Sequence, residues 1–290
     1  MSSKSLFILP ILTFTLCSLT SCTDNKNEKI IYTSFYPVYD FTKKIVGDKY
    51  VVKNITPAGE EPHEFEPTAK DIESLYNADA LFINGLNMEK WLDTAPSTIK
   101  EKTYTVTENI TTRNENNVLD PHVWLSLKNA RIELSNICNY VSIIDPANKD
   151  YYQGNYAIYD KKFEELQNKY INTLKDLSKP YLVTSHAAFG YLCDEFNLTQ
   201  LYLSGLEPDA TPTAKDIEKI IEAVKTYNIT TIFYEEMVGP EVAEKIATET
   251  GVKCEVLCTL ESLTNEEIDN GEDYLSKMED NLVKIKEATK

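Results

Sequence analysis

Three histidines, His63, His122 and His186, stand on three segments far apart in this 290-residue chain. Two of them share a setting. His63 ends Glu61-Pro62-His63, and His122 follows Asp120-Pro121, so each comes after an acid and a proline. Proline holds its own φ at about −65° and pushes the residue before it towards an extended shape. Both imidazoles therefore hang from stiffened backbone, as a site needs if its geometry is to exist before the ligand arrives. Imidazole nitrogen with carboxylate oxygen is a donor set for a tetrahedral zinc shell. The residues point to one transition-metal site made by all three histidines and one carboxylate. A histidine alone in a loop is more often structural, so the argument rests on the three together.

Elements must bring these side chains to one place. Residues 30–33 read as a strand, 39–46 as a helix and 50–55 as a second, β-branched strand. The His63 loop follows. Thr68 and Asp71 then open a helix, since threonine caps free N–H groups and the acid faces the positive helix end. Residues 80–86 read as a buried strand, 88–99 as a helix and 104–107 as a strand. A polar loop leads to His122, and 126–140 is an amphipathic helix. This alternation argues for a parallel α/β layer. Residues 146–177 differ, being long, polar and strongly helical. A single helix of that length reaches about 45 Å and would serve as a rigid strut between two lobes; two helices broken near Gly154 are the alternative. The pattern then repeats, with strands at 181–184, 198–203, 230–234 and 252–257. The heptapeptide PTAKDIE occurs at 67–73 and again at 212–218, each copy opening a helix. Thr264 and Glu267 form a capping box for a last helix running to about residue 286.

The expected fold is therefore α/β, with two similar lobes of parallel sheet joined by one long rigid helix. The N-terminal lobe spans 30–145, the connecting helix 146–177 and the C-terminal lobe 178–290. Ligands of open α/β folds bind beyond the carboxyl ends of the strands. Each histidine follows or closes a predicted strand, so the three can meet in one crevice.

Composition narrows the function. A hydrophobic share of 42% suits a globular core, and a net charge of −17 argues against nucleic acid. There is no P-loop, no HExxH and no nucleophile motif. Lys4 precedes an apolar run, 6–16, that is short of the ~20 residues needed to span a bilayer. It ends in Leu19-Thr20-Ser21-Cys22, which resembles the lipobox of bacterial lipoproteins. Residues 1–21 then read as a signal peptide, Cys22 as the lipid-bearing residue and 22–29 as a tether. An ordinary secretory signal is the alternative. Of the remaining cysteines, Cys138, Cys193, Cys254 and Cys258, any pairing or none is open.

Several blocks resemble one family. Gly59-Glu60-Glu61-Pro62-His63-Glu64-Phe65-Glu66-Pro67-Thr68 is similar to the first metal loop of the metal-specific (cluster A-I) solute-binding lipoproteins of bacterial ABC transporters. Asn84-Gly85-Leu86-Asn87-Met88-Glu89-Lys90-Trp91-Leu92 resembles their next block. Asp120-Pro121-His122-Val123-Trp124 resembles the second metal loop, and Ser185-His186-Ala187-Ala188-Phe189-Gly190-Tyr191 the third. Tyr234-Glu235-Glu236 and Leu257-Cys258-Thr259-Leu260-Glu261-Ser262-Leu263 resemble the last strand and the fourth loop. The resemblance runs in order through nearly all of the chain after the signal.

The resemblance implies two α/β lobes joined by one long helix, with the metal site in the cleft between them. The protein would be a monomeric receptor, not an enzyme. It would be lipid-anchored on the extracytoplasmic face of the cell membrane, capturing Zn2+ for an ABC permease and its ATPase. The family's manganese branch has a carboxylate where His186 stands, and three imidazoles with one carboxylate suit zinc better than manganese. The usual fourth loop carries an acid at the Cys258 position. Here Glu261 is the expected fourth ligand and Cys258, as a thiolate, its rival; a buried filler or a disulfide half is the duller reading of Cys258. The acidic His-rich loop of some relatives is missing, since 108–119 holds no histidine. Trp124 and Phe65 would wall the site. Glu61 and Asp120 would orient imidazoles as acceptors, unless they merely cap turns. A surface adhesin and a zinc hydrolase with an open water position are the competing functions. Ordinary histidines titrate at about 6.5, so metal affinity would fall below about pH 6.

Overall fold

Strand and helix alternate from the start of the computed structural model, which describes residues 28–237 and 239–290. β1 (Ile30–Thr33), α1 (Tyr36–Val46), β2 (Val51–Asn54), α2 (Ala69–Tyr76), β3 (Ala80–Ile83), α3 (Ser97–Lys100) and β4 (Thr103–Thr105) build the first lobe. Its sheet is parallel, in the order β2-β1-β3-β4. Ile31 lies opposite both Val52 and Ala80, and Leu81 opposite Thr103. β3 reads ALFI and is buried throughout, as a parallel strand covered on both faces must be. The expected helix over 88–99 is not continuous. A 3-10 turn, Lys90–Thr94, ends at Ala95, and α3 starts after Pro96. The proline forces Ala95 out of helical space, to ψ 149°.

A short antiparallel hairpin follows, β5 (Asn114–Glu115) and β6 (Val118–Leu119). Its turn residues, Asn116 and Asn117, have φ of 51° and 67°, the left-handed pair that a two-residue hairpin turn needs and asparagine tolerates. α4 (Leu127–Ile144) starts at Ser126, whose Oγ accepts from Asn129 N. A 3-10 turn, Pro146–Asn148, then leads into α5 (Lys149–Leu174). α5 runs unbroken past Gly154 and is about 39 Å long. Its buried stripe is Tyr152, Phe163, Leu166, Tyr170 and Leu174. α5 packs on α1 and α4 of the first lobe and reaches helices of the second.

The second lobe repeats the scheme with β7 (Tyr181–Thr184), α6 (Gly190–Phe196), β8 (Thr199–Tyr202), α7 (Ala214–Tyr227), β9 (Thr231–Tyr234), α8 (Glu241–Thr250) and β10 (Lys253–Val256). β7 pairs with β8 and β9 with β10, both parallel, and β7 lies against β9. The spatial order β8-β7-β9-β10 thus mirrors that of the first sheet. The repeated heptapeptide plays the same part in both lobes: Thr68 with Asp71, and Thr213 with Asp216, form reciprocal capping boxes at the starts of α2 and α7.

The chain closes with α9 (Asn265–Asp269) and α10 (Tyr274–Ala288). One helix was expected from Thr264 onward, and two are found. Gly271, at φ 85°, breaks the run, and Asp273 caps α10 by accepting from Ser276 N. α10 turns back onto α5, where the Tyr274 ring stacks on Phe163 at 5.2 Å and meets Phe41 edge-on at 4.8 Å. The largest hydrophobic cluster runs from Ile31 and Phe82 through α4 and α5 to Leu182, Phe189, Leu257 and Leu282. The two lobes therefore share one core, and each keeps a smaller one of its own. Among the described residues, Cys138, Cys193, Cys254 and Cys258 are free thiols, and no helix is long and apolar enough to cross a membrane. The signal segment, Cys22 and the tether up to residue 27 lie outside the described residues.

Candidate metal centre

His122 is held by a single carboxylate. Asp120 Oδ1 accepts from the His122 backbone N at 3.0 Å and from its ring Nδ1 at 2.8 Å. Asn84 Nδ2 donates to Pro121 O at 3.0 Å, and Glu89 takes the backbone N–H groups of Asn84 and Gly85. The block from Asn84 to Glu89 thus steadies the loop that carries His122. Trp124, fully buried, donates its Nε1 to Thr259 O at 2.8 Å and lies 5.3 Å, ring to ring, from His122. It ties the His122 loop to the loop that carries Glu261.

His186 is held in the same way from the other lobe. Glu235, directly after β9, accepts from the His186 backbone N at 3.0 Å with Oε1 and from its ring Nδ1 with Oε2. Gln200 and Thr184 satisfy the His186 carbonyl. With Nδ1 committed as donor in both rings, Nε2 of His122 and of His186 is a bare lone pair whenever the ring is neutral.

These lone pairs point at each other. His122 Nε2 is 3.3 Å from His186 Nε2 and 3.1 Å from His63 Nε2. Glu261 Oε1 lies 3.4, 3.2 and 3.6 Å from the Nε2 atoms of His63, His122 and His186. All four atoms fall within 4.8 Å of one another, and all four residues are buried. Bond lengths of 2.0–2.2 Å to a tetrahedral zinc imply ligand–ligand edges of about 3.3–3.6 Å. The five separations above, 3.1–3.6 Å, lie close to those edges. Converging acceptors repel without a cation between them, so the donor set fits a divalent metal.

Electrostatics agree with the geometry. Without a metal, rings protonated at Nε2 donate to Glu261: burial pushes its carboxyl up, but the hydrogen bonds from three imidazoles outweigh it and hold the group well below the carboxylate range. Burial would likewise depress His186, yet Glu235 and Glu261 raise it to about 10. His122 rises for the same reason, through Asp120 and Glu261. His63 has no carboxylate on its ring besides Glu261, and burial leaves it below its ordinary value.

Other expected residues fall differently. Glu61 accepts from the backbone N of His63 at 3.0 Å and not from its ring; it shapes the turn, and its Oε2 is buried without a partner. Phe65 packs on the first lobe's smaller core beside Trp91 and Leu81. Cys258 lies outside the converging four. Burial and the carboxylate of Glu236 push its thiol well above the ordinary range, and Asn281 grips its backbone at both N and O. In the sequence, Glu235 stands out only as part of the Tyr234-Glu235-Glu236 block. Its signal was an acid standing at the carboxyl end of a predicted strand, where ligands of such sheets gather. Arg113 and Asn281 carried no local signal.

A family model described as zinc-uptake complex component A, periplasmic (ZnuA), matches residues 31–288. The high-affinity zinc uptake system protein ZnuA of Bacillus subtilis is 37% identical over 93% of this chain and 91% of its own length. The zinc-binding lipoprotein AdcA of Streptococcus pneumoniae is 35% identical over 97% of this chain; the chain spans 61% of that longer protein. The Zn(II)-bound ZnuA-like domain of AdcA superposes with a TM-score of 0.81 at 38% identity, covering 90% of this chain and 99% of the domain. The laminin-binding protein Lmb of Streptococcus agalactiae, described as having adhesin and metal-transporting activity, gives a TM-score of 0.84 at 32% identity, covering 90% of this chain and 100% of its own. With the match spanning nearly the whole described chain, this protein belongs to the ZnuA family of zinc-uptake solute-binding proteins.

Proposed function

We propose that this protein captures Zn2+ outside the cytoplasm and passes it to an ABC importer. His63, His122, His186 and Glu261 hold the ion as cargo, with Asp120 and Glu235 fixing the two imidazoles. One observation carries the reading: two Nε2 lone pairs, each locked by a carboxylate at Nδ1, face a carboxylate oxygen at zinc-like separations inside a buried cleft. The likeness to proteins named for zinc uptake supports the choice of metal. Three imidazoles and one oxygen favour zinc over manganese.

The rest follows from the same reading. Residues 1–21 are a signal peptide, Cys22 carries the lipid, and 22–29 tether the receptor to the outer face of the membrane; AdcA, a relative, is named a lipoprotein. Residues 30–145 and 178–290 are the two lobes and 146–177 the connector. The partners are a permease and its ATPase, and the receptor acts as a monomer. A fourth protein ligand closes the shell, which speaks for binding and against a hydrolase that keeps a water position open. Adhesion to a host matrix enters as a second activity through the likeness to Lmb, and binding to immobilised laminin would test it. The main test is elemental analysis of the purified protein, with competitive zinc titration of wild type and His186→Ala. One zinc per wild-type chain, lost in the variant, is expected; a chain free of zinc after exposure to it, or a variant binding as tightly, would refute the reading.

A further inference from the structure

Arg113 stands at the foot of the β5–β6 hairpin, in the first lobe, and reaches into the second. Its Nη1 donates to Asp120 Oδ2 at 2.7 Å. The same guanidinium lies 3.4 Å from Glu115 Oε2 and 3.3 Å from Asp194 Oδ2 on α6. It rests in a slot over Gly190, where an added Cβ would stand only 1.4 Å from Nη1. The backbone joins in: Arg113 N donates to the Tyr191 hydroxyl at 2.9 Å, and that hydroxyl donates to Asp120 O at 3.1 Å. At the hairpin, Tyr202 from the end of β8 donates to Glu115 Oε1 at 2.5 Å and accepts from Asn116 Nδ2 at 3.3 Å.

Asp120 is fully buried and divided between two tasks. Oδ1 holds the backbone and ring of His122, and Oδ2 holds Arg113. A buried carboxylate needs a paired cation to stay ionised, and Arg113 is that cation. Asp120, Glu235 and Glu261 together carry three negative charges. A divalent ion would offset two of these, and Arg113, shared with Glu115 and Asp194, is the cation against Asp120. A hairpin of two-residue strands has little stability of its own, so its position depends on these side-chain ties. Its tip borders a cavity of about 480 Å³ lined by Asn116, Gln200 and Tyr202, which leaves room for it to shift. Arg113 is itself partly exposed.

We propose that Arg113 and its hairpin form a release latch for the bound ion. This rests on the zinc-receptor reading above. With the guanidinium seated between Asp120 and α6, His122 keeps its ligating pose and the lobes are tied across the cleft. When the hairpin shifts, the guanidinium leaves Oδ2, Asp120 loses its anchor, and the His122 ring is free to turn from the metal. Arg113 touches no ligand atom; it is a positioning residue that sets how fast zinc leaves.

The test measures zinc release from the full mature chain into excess chelator by stopped flow. Arg113→Met is expected to release zinc roughly tenfold faster or more, in the range seen for supports of metal ligands. Arg113→Lys keeps the charge without the planar fork and is expected to recover part of the difference. In the metal-free protein, amides of residues 114–119 are expected to exchange faster in Arg113→Met, while the core amides of β3 stay protected. Wild-type release by Arg113→Met would overturn the latch. So would equal acceleration in both variants together with lost protection of β3, since Arg113 would then be supporting the fold at large. A wild-type chain that holds no zinc would overturn the receptor reading, and the latch with it.

Discussion

Glu235 does for His186 what Asp120 does for His122: one carboxylate grips both the backbone N–H and the ring Nδ1 of each imidazole. Such supports set the tautomer and direction of a ligand. Glu235→Gln should therefore weaken zinc binding by roughly 10–100-fold, read by chelator competition. His186→Ala removes a proposed ligand outright and should cost more than that. Cys258→Ser should leave affinity near wild type, because the thiol faces Glu236 and Asn281 binds only its backbone. A larger loss in Cys258→Ser than in His186→Ala would reverse the choice of fourth ligand. The pH dependence also changes from the sequence expectation. Metal binds only unprotonated imidazole, and without metal His186 is held up to about 10 by Glu235 and Glu261. Zinc must then displace protons at neutral pH. Affinity should keep rising with pH above about 7, where histidines of ordinary pKa, about 6.5, would have levelled off. Titrations from about pH 6 to 9, with proton release measured calorimetrically in different buffers, check this; a plateau above neutrality would contradict it.

The loop after β10 reaches its shape through strain held by neighbours. Leu260, fully buried, has a φ of 61°, which costs a residue with a Cβ about 1–2 kcal/mol. That left-handed residue turns the chain between Cys258, gripped by α10, and Glu261 in the cluster. Asn281 secures the turn with two buried hydrogen bonds to Cys258, at 3.0 and 2.7 Å. Asn281→Ala would leave a buried N–H and C=O unpaired, for a loss of about 1–3 kcal/mol in denaturant unfolding, with weaker zinc binding because Glu261 is no longer held. α5 offers the opposite case. Gly154 lies inside an unbroken helix, and a Cβ there meets nothing within 4 Å. Gly154→Ala should stabilise the protein by roughly 0.5–1 kcal/mol, without changing zinc affinity.

At the scale of the molecule, His63 and His122 come from the first lobe and His186 and Glu261 from the second. A bound ion would staple two lobes that already share a core through α5 and α10. Ligand that binds only the folded state stabilises it by about 4 kcal/mol at a thousandfold excess over Kd. Zinc should therefore raise the melting temperature of wild type, and chelator should reverse the rise. His122→Ala should lose most of that shift, since its loss opens the staple. An equal zinc-induced shift in this variant would place the ion elsewhere.

Much of this was written locally in the sequence. The two acid-Pro-His settings, the paired capping boxes at Thr68 and Thr213, and the strand–helix alternation depend on neighbours within a few residues. So does the length of the connecting helix, apart from its trimmed ends. The breaks at Pro96 and Gly271 were legible too, but periodicity overrode them. Tertiary structure alone decided the rest. It set Glu261 rather than Cys258 beside the imidazoles, put Glu235 on His186 and Arg113 on Asp120, and placed Glu61 on a backbone N–H. Backbone preferences and caps act over a turn or two, whereas the meeting of loops from two lobes is set by how α4, α5 and α10 pack. No short stretch of the chain encodes that packing.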